Sequence, residues 1–399
     1  MTIEQTDAYH LPANDGSRRR RNRLRHEAIQ LAIIAAAIGL VAVFAVAVKE
    51  GLARHGIKFS FSFLLDAAGF DISEGKTFVF DGSFWPGFSD FTADLSVAQA
   101  FVSGLVNTIK IAILAIVLST VLGTLLGVGR LSTNWVVRNI SFWCVEFVRN
   151  TPLLIQLVFW YFAVVLHFPP LAAAAKLYGG IIISQQGLYF PVPVWAGEGS
   201  WVALALLAAA LVTAAGAIFS VKLRWICAAS ALALFCLMLA TGAVVLDYPI
   251  ASKFQAHGGT SISPEMAALL LAVVVNSAAY IAEIVRGAID ALPKGQWEAA
   301  ASLGMSRHHT VNDIILPQVF RVVLPSFGNQ YISLTKNTAL GIAIGYPELF
   351  NIYGTIANQT GHSLEGIIIV MVSYLILSWI ISALVSWADK RLTGQGAAR

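Results

Sequence analysis

Asn276, Tyr280, Glu283 and Gly287 recur at intervals of 4, 3 and 4 residues inside a long apolar run. On a helix that spacing puts them on one face, where polar groups look towards protein or a water-filled path and away from lipid. A second apolar run carries Asn329, Ser333, Lys336 and Asn337 at similar intervals. A third holds Glu146, Arg149, Asn150 and Thr151 ahead of Pro152, with Gln156 about one turn on. Ionisable and amide groups are expensive inside a bilayer, so they serve either a route for a polar solute or the pairing of helices. Glu283 and Arg286, at i and i+3, suit pairing as well as a path. Both uses stay open for Arg149 at the edge of its run, with Thr151, Pro152 and Gln156 as packing or gating candidates. The rival chemistry is a charge relay through Glu283 or Lys336, which would make the chain an ion-coupled secondary transporter.

The other polar constellation is EAAASLGMSRHHTVNDIILP, Glu298 to Pro317. His308, His309 and Asp313 are its possible metal ligands, but no further ligand stands at matching spacing, so no metal site is expected. Nucleotide chemistry fares no better. GFDISEGKT, Gly69 to Thr77, nearly matches a phosphate-binding loop but has one residue too many between its glycines for backbone N–H groups to cradle a phosphate. With no metalloprotease, G-x-S-x-G or dinucleotide pattern either, neither catalysis nor a bound cofactor is expected. Docking is what remains for the stretch. Glu298 to Leu303 are mostly strong helix formers, and Glu298 suits the first-turn dipole. Gly304 permits a left-handed end, Ser306 can cap a second helix presenting Val311, Ile314 and Ile315, and Pro317 is expected to stop it.

The elements that must carry these groups follow from composition. Hydrophobic residues make up 57% of the chain and charged ones only 12%, against about 25% in a soluble domain. About eight apolar segments approach the ~20 residues that span a bilayer: 31–49, 102–127, 142–166, 201–220, 225–246, 265–286, 319–344 and 364–387. An all-α polytopic membrane protein is therefore expected. Basic residues set its orientation. Arg18 to Arg21, Arg23, Arg25, Arg130, Arg138, Lys222, Arg224, Arg286, Lys294, Arg307, Arg321, Lys390, Arg391 and Arg399 fall on one side, against Lys49, Arg54, Lys58, Lys76, Lys176 and Lys253 on the other, which puts both termini in the cytoplasm. The apolar run after the arginines is too long for a signal-peptide core, so 31–49 is expected to stay as an anchor. This order makes 1–30 a cytoplasmic basic tail, 50–100 a periplasmic segment, 101–390 a transmembrane domain with a helix pair at 201–246, and 391–399 a cytoplasmic tail. It also argues against a nucleic-acid partner for the arginines or for Glu298 to Pro317. The three cysteines lie inside apolar runs and read as small core residues.

Glu298, Ala299 and Ala300, then Gly304, followed by Ile314, Leu316 and Pro317, resemble the EAA motif of ABC-transporter permease subunits. AAYIAEIVRGAIDALPKGQWEAA, LPQVFRVVLPSFGNQYISLTKNTAL and VEFVRNTPLLIQLVFWYF are similar to polar amino-acid permeases of the histidine/glutamine type. The likeness covers about residues 100–166 and 264–390. It departs at Asn150, where the family usually has Gly, and at Ala339, where it usually has Ser, so no substrate role is carried over there. The resemblance implies the core of a type I ABC importer permease, with 287–318 as the coupling loop. Glu298, Ala299, Ala300, Gly304, Ile314 and Pro317 would then dock into a cytoplasmic ATPase dimer that uses ATP and Mg. It further implies a second permease subunit in a heterodimer and a periplasmic amino-acid-binding protein. Asn276, Tyr280, Glu283, Asn329, Ser333, Lys336 and Asn337 would line the translocation path. The first anchor and the 201–246 pair go beyond the usual five-span core, a long form that resembles the larger permease of general L-amino-acid importers.

Overall fold

The computed structural model describes residues 15–54, 59–79, 87–195, 205–213, 224–240, 244–252, 256–306 and 309–394. They fall into two units divided between Ser62 and Phe63. The first is dominated by one helix, α1 (Asp15–Arg54), which takes in the arginine run as well as the expected anchor. Its stretch Arg25–Phe44 is long and apolar enough to cross a membrane. Leu31, Ile38, Leu40 and Phe44 are all exposed there, as lipid-facing side chains would be.

The second unit is organised around two long helices, α2 (Val97–Arg130) and α7 (Pro264–Asp290). Both begin on side-chain caps that satisfy free backbone N–H groups. Ser96 and Gln99 form a reciprocal capping box on α2, and Ser263 accepts from the Met266 amide ahead of α7, with Pro264 in its first turn. The helices meet through small residues. A Cβ built on Gly123 would stand 2.7 Å from the Ala278 carbonyl oxygen and 2.7 Å from the Ile281 Cβ. One built on Gly127 would stand 2.7 Å from the Ala282 carbonyl oxygen and 2.9 Å from the Val285 Cβ. Glycines four apart thus let two backbones touch, the device by which membrane helices associate without a hydrophobic driving force.

Before α2 a hairpin of β1 (Lys76–Val79) and β2 (Gly87–Asp90) lies against its start, where Thr77 donates to the Gln99 carbonyl and Gln99 to that of Phe78. The segment expected as one span at 142–166 is broken. α3 (Trp135–Arg149) and α4 (Leu153–Val158), the latter prolonged by wider and tighter turns to His167, meet at 105°. Pro152 has no N–H to offer the preceding turn, so the helix stops there. Beyond it come short strands: β3 (Ala175–Lys176), β4 (Ile182–Ser184), β5 (Gly187–Phe190) and β6 (Val192–Trp195). Next are helices α5 (205–213) and α6 (Arg224–Ala240), packed together through Leu206, Leu207 and Met238. The strands β7 (Val244–Asp247), β8 (Ile250–Ala251), β9 (Ala256–His257) and β10 (Thr260–Ile262) follow. β10, β5, β4 and β3 form a four-stranded sheet, and β6 pairs antiparallel with β7. Trp195 stands opposite Val244, so the chain leaves and re-enters this ribbon at adjacent positions.

After α7 come α8 (Gly295–Ser302), α9 (Leu316–Asn337), α10 (Leu349–Thr360) and α11 (Ser363–Gly394). Pro317 does not stop the helix before α9. A wide turn at Thr310–Ile315 runs straight into it, and the proline sits in the first turn of α9, where its missing N–H is tolerated. Glu348 is fully buried and caps α10, accepting from the amides of Phe350 at 2.9 Å and Asn351 at 2.8 Å. Tyr374 of α11 donates to the same carboxylate, while Asn107 of α2 donates to the Pro347 carbonyl. Among the described residues four helices are long and apolar enough to cross a membrane: α1, α2, α7 and α11. The bent α3–α4 pair brings the number to five. The expected span 319–344 is present as α9 and the turn after it, but Arg321, Asn329, Gln330, Lys336 and Asn337 make it more polar. The apolar part of α6, Ile226–Met238, is short of a crossing, and much of 201–220 lies outside the described residues.

Gly123→Val and Gly127→Val should each destabilise the fold by about 1–3 kcal/mol or more, because the added side chain meets backbone. Gly287→Ala on α7, where an added Cβ meets nothing within 4 Å, should be neutral or stabilising. Thermal unfolding of the purified protein in detergent reads both.

Candidate functional site

An open cavity of about 500 Å³ lies where α7, α9 and the α3–α4 break converge. α7 contributes Asn276 and Tyr280, and α9 contributes Gln330, Ser333 and Asn337. The break contributes Arg149, Asn150, Thr151 and Pro152. Its walls mix amides, hydroxyls and one guanidinium with the apolar side chains of Pro152, Leu153 and Leu340, a lining suited to a small polar solute. The break is held by side chains that take the last carbonyls of α3. Asn150 donates to Glu146 at 2.7 Å, Thr151 to Phe147 at 2.8 Å, and Gln156 to both Val148 and Thr151 at 2.9 Å. The exposed peptide groups of an interrupted helix are thereby satisfied within the protein, as a membrane interior requires. Gln156 therefore supports the cavity wall without lining it.

Next to the cavity lies a cluster of ion pairs. Glu283 accepts from Arg130 at 2.6 Å with one oxygen and from Arg286 with the other. Arg286 also holds Asp290, and Arg130 reaches Glu146 at 3.4 Å. Arg149 stands 3.6 Å from Glu283 and 3.7 Å from Glu146. The Arg130 side chain is only 9% exposed and its guanidinium lies 5.2 Å from the Phe142 ring centre. The pairing of Glu283 with Arg286 was legible from their spacing; the contribution of Arg130, 153 residues away, was not. Both oxygens of this carboxylate are committed to pairing with guanidiniums, and the ion-relay alternative is not favoured.

The stretch from Glu298 folds as its residues suggest as far as the turn at Gly304, whereas Pro317 does not end the helix after it. α8 ends with Gly304 at φ 70°, the Met305 amide bonding the Ala300 carbonyl and the Gly304 amide that of Ala301. This double bond is the usual glycine-terminated helix end. The Ser306 hydroxyl accepts from the His309 amide at 3.4 Å, just ahead of the wide turn at Thr310–Ile315. Ala300 and Ile315 are buried, and Ile315, Ile314 and Trp297 pack with Ile281, Val285 and Val319. Glu298, Ala299, Gly304 and Leu303 are exposed, with Leu303 at 79%. His309 pairs with Asp313, and His308 lies outside the described residues. Gly69–Thr77 leads into β1, not into a helix that would present its N-terminus to a phosphate.

The structure thus brings Asn276, Tyr280, Ser333, Asn337, Arg149, Thr151 and Pro152 together around one cavity. It places Glu283 in the ion cluster and leaves Asn329 exposed off the cavity. Lys336 lines a separate apolar groove with Phe350 and Met371. Gln330 is the residue that the sequence reading missed. It lies on the helical stripe 330, 333, 337, 340, and only the choice of Asn329 as the stripe's start concealed it.

Glu283→Gln would leave the nearly buried Arg130 without its close partner and should cost about 3–5 kcal/mol. Asp290→Asn breaks a half-exposed pair and should cost no more than about 1 kcal/mol. Parallel unfolding of the two variants in detergent checks the difference.

Comparison with known proteins bears on this arrangement. Residues 119–394 match the model of a family described as binding-protein-dependent transport system inner membrane component. The amino-acid ABC transporter permease protein YhdX of Escherichia coli is 35% identical over 91% of this chain and 93% of its own length. The general L-amino acid transport system permease protein AapQ of Rhizobium johnstonii is 32% identical over 91% of each. The glutamate/glutamine/aspartate/asparagine transport system permease protein BztB of Rhodobacter capsulatus is 32% identical over 86% of this chain and 87% of its own. The chain belongs to the family of binding-protein-dependent transport system inner membrane components, as a multi-helix permease subunit of the inner membrane.

Proposed function

We propose that this chain is a permease subunit of an ATP-driven importer for polar or general L-amino acids, and that its cavity is one wall of the translocation path. The observation that carries this reading is the cavity itself, where polar side chains from three separate elements face an opening that this chain alone does not close. A second permease subunit, in a heterodimer, supplies the opposite wall. The amino-acid assignment is supported by the relatives, which bear the names of amino-acid permeases over nearly their whole length. A periplasmic binding protein delivers the solute, and the termini lie in the cytoplasm. The residues 50–100 then belong to the periplasmic side, and the loop at 287–318 to the cytoplasmic side.

In this reading α8 and the turn after it are the coupling element. Glu298, Ala299 and Gly304 face outward, with Leu303 as an exposed apolar contact for a docking groove. Ala300 and Ile314 anchor the loop inward, and Pro317 enters α9 directly, so a push on the loop travels along one continuous helix. ATP and Mg are used by a cytoplasmic ATPase dimer that is separate from this chain. Gly304→Val places a β-branched residue at a left-handed φ and costs about 1–2 kcal/mol locally. Glu298→Lys reverses the docking charge. Both variants should reach the membrane at normal levels, lose the ATPase on co-purification, and lower uptake of radiolabelled L-amino acids by roughly tenfold or more. Retention of both the ATPase and uptake would show that the loop is not the coupling element.

A further inference from the structure

We propose that Arg149 is the anchor for the carboxylate of the transported solute, and that Glu146 and Glu283 hold its guanidinium in place while the cavity is empty. The inference rests on the amino-acid reading above and names the group in the cavity that recognises the solute.

Arg149 is the charged residue of the cavity lining, and the other polar walls are the neutral side chains of Asn150, Thr151, Asn276, Tyr280, Gln330, Ser333 and Asn337. Its own bonding is unfinished. Arg130 and Arg286 both make close hydrogen bonds to Glu283. Arg149, by contrast, approaches Glu283 and Glu146 only at 3.6 and 3.7 Å, ion-pair separations too long for hydrogen bonds. Its Nε is buried and has no hydrogen-bond partner. A guanidinium carries five N–H donors in a planar fork that matches a carboxylate in two parallel bonds. Here that fork is positioned by the ring of Tyr280, 5.8 Å away, and by the end of α3, with Nε turned inward and the Nη groups making no close hydrogen bond beside the opening.

A solute carboxylate supplies what the cluster withholds. It forms the close bidentate pair that Glu146 and Glu283 do not, and Arg149 then shifts its pairing from them to the solute. Glu283 remains held by Arg130 and Arg286, so the cluster survives the exchange. Because Glu146 and the solute compete for one guanidinium, neutralising Glu146 must strengthen solute binding. A purely structural role for Arg149 predicts the opposite sign.

The test measures equilibrium binding of a radiolabelled mixture of L-amino acids to the purified permease–ATPase complex without its binding protein. Uptake by the complete transporter in proteoliposomes is measured in parallel. Arg149→Gln should weaken binding roughly tenfold to a hundredfold, the worth of a charge-assisted bidentate pair. Arg149→Lys should weaken it less, and Glu146→Gln should tighten it several-fold. L-amino-acid amides should compete with the labelled mixture at least roughly tenfold less well than the acids on the unaltered complex. Equal binding by Arg149→Gln and the unaltered complex overturns the assignment, as does weaker binding by Glu146→Gln or equal competition by the amides. If the unaltered transporter neither binds nor takes up any L-amino acid, the amino-acid reading itself fails and this inference falls with it.

Discussion

Backbone contact between α2 and α7 is the constraint on which the rest of the second unit depends. Gly123 and Gly127 bring α2 against the carbonyls of Ala278 and Ala282, and no larger residue fits between. With those two helices locked, Arg130 at the end of α2 arrives against Glu283 on α7. At the other end of α2, Asn107 and Thr108 bond the backbone of Pro347 and Leu349, which fixes the start of α10. The face of α7 turned away from α2 is then free to present Asn276 and Tyr280 to the cavity. A seam of small residues gains little from hydrophobicity in lipid, so its strength is van der Waals contact at short range. Such contact is lost steeply with separation, and the pair is best regarded as one rigid body.

The charge cluster beside the cavity would be a liability if it were incomplete. Arg130, Arg149 and Arg286 face Glu146, Glu283 and Asp290, so the formal charges cancel. Exposure grades across it, from Arg130 at 9% to Asp290 at 50%. The inner members are therefore costly to separate and the outer ones cheap. Arg130 ties α2 to α7, Arg286 pairs along α7 alone, and Arg149 meets its carboxylates only at ion-pair separations.

Periodicity made the cavity-facing stripes legible before any coordinates. Asn276 and Tyr280 on α7, and Ser333 and Asn337 on α9, repeat at helical spacing, and the fold brings both stripes to one cavity. The turn at Gly304 was also readable, because a helix end in the left-handed region has few residues to choose from. What escaped depended on partners distant in sequence. Nothing local to Arg130 announces Glu283, and the spacing of Gly123 and Gly127 marks a close helix contact without saying which helix makes it. The bend at Pro152 was signalled by the proline, yet the apolar run on either side favoured one straight span. The strands from β3 to β10 are two to four residues long, too short for alternation to show. Their pairing is set by the chain around them.

The ribbon of β6 and β7 gives the helices α5 and α6 an unusual independence. Trp195 and Val244 stand side by side, so the intervening segment starts and finishes at the same place. A module joined to its host by two adjacent strands can be gained or lost in one event without displacing any helix on either side. Its length can change while the cavity and the glycine turn after α8 keep their places.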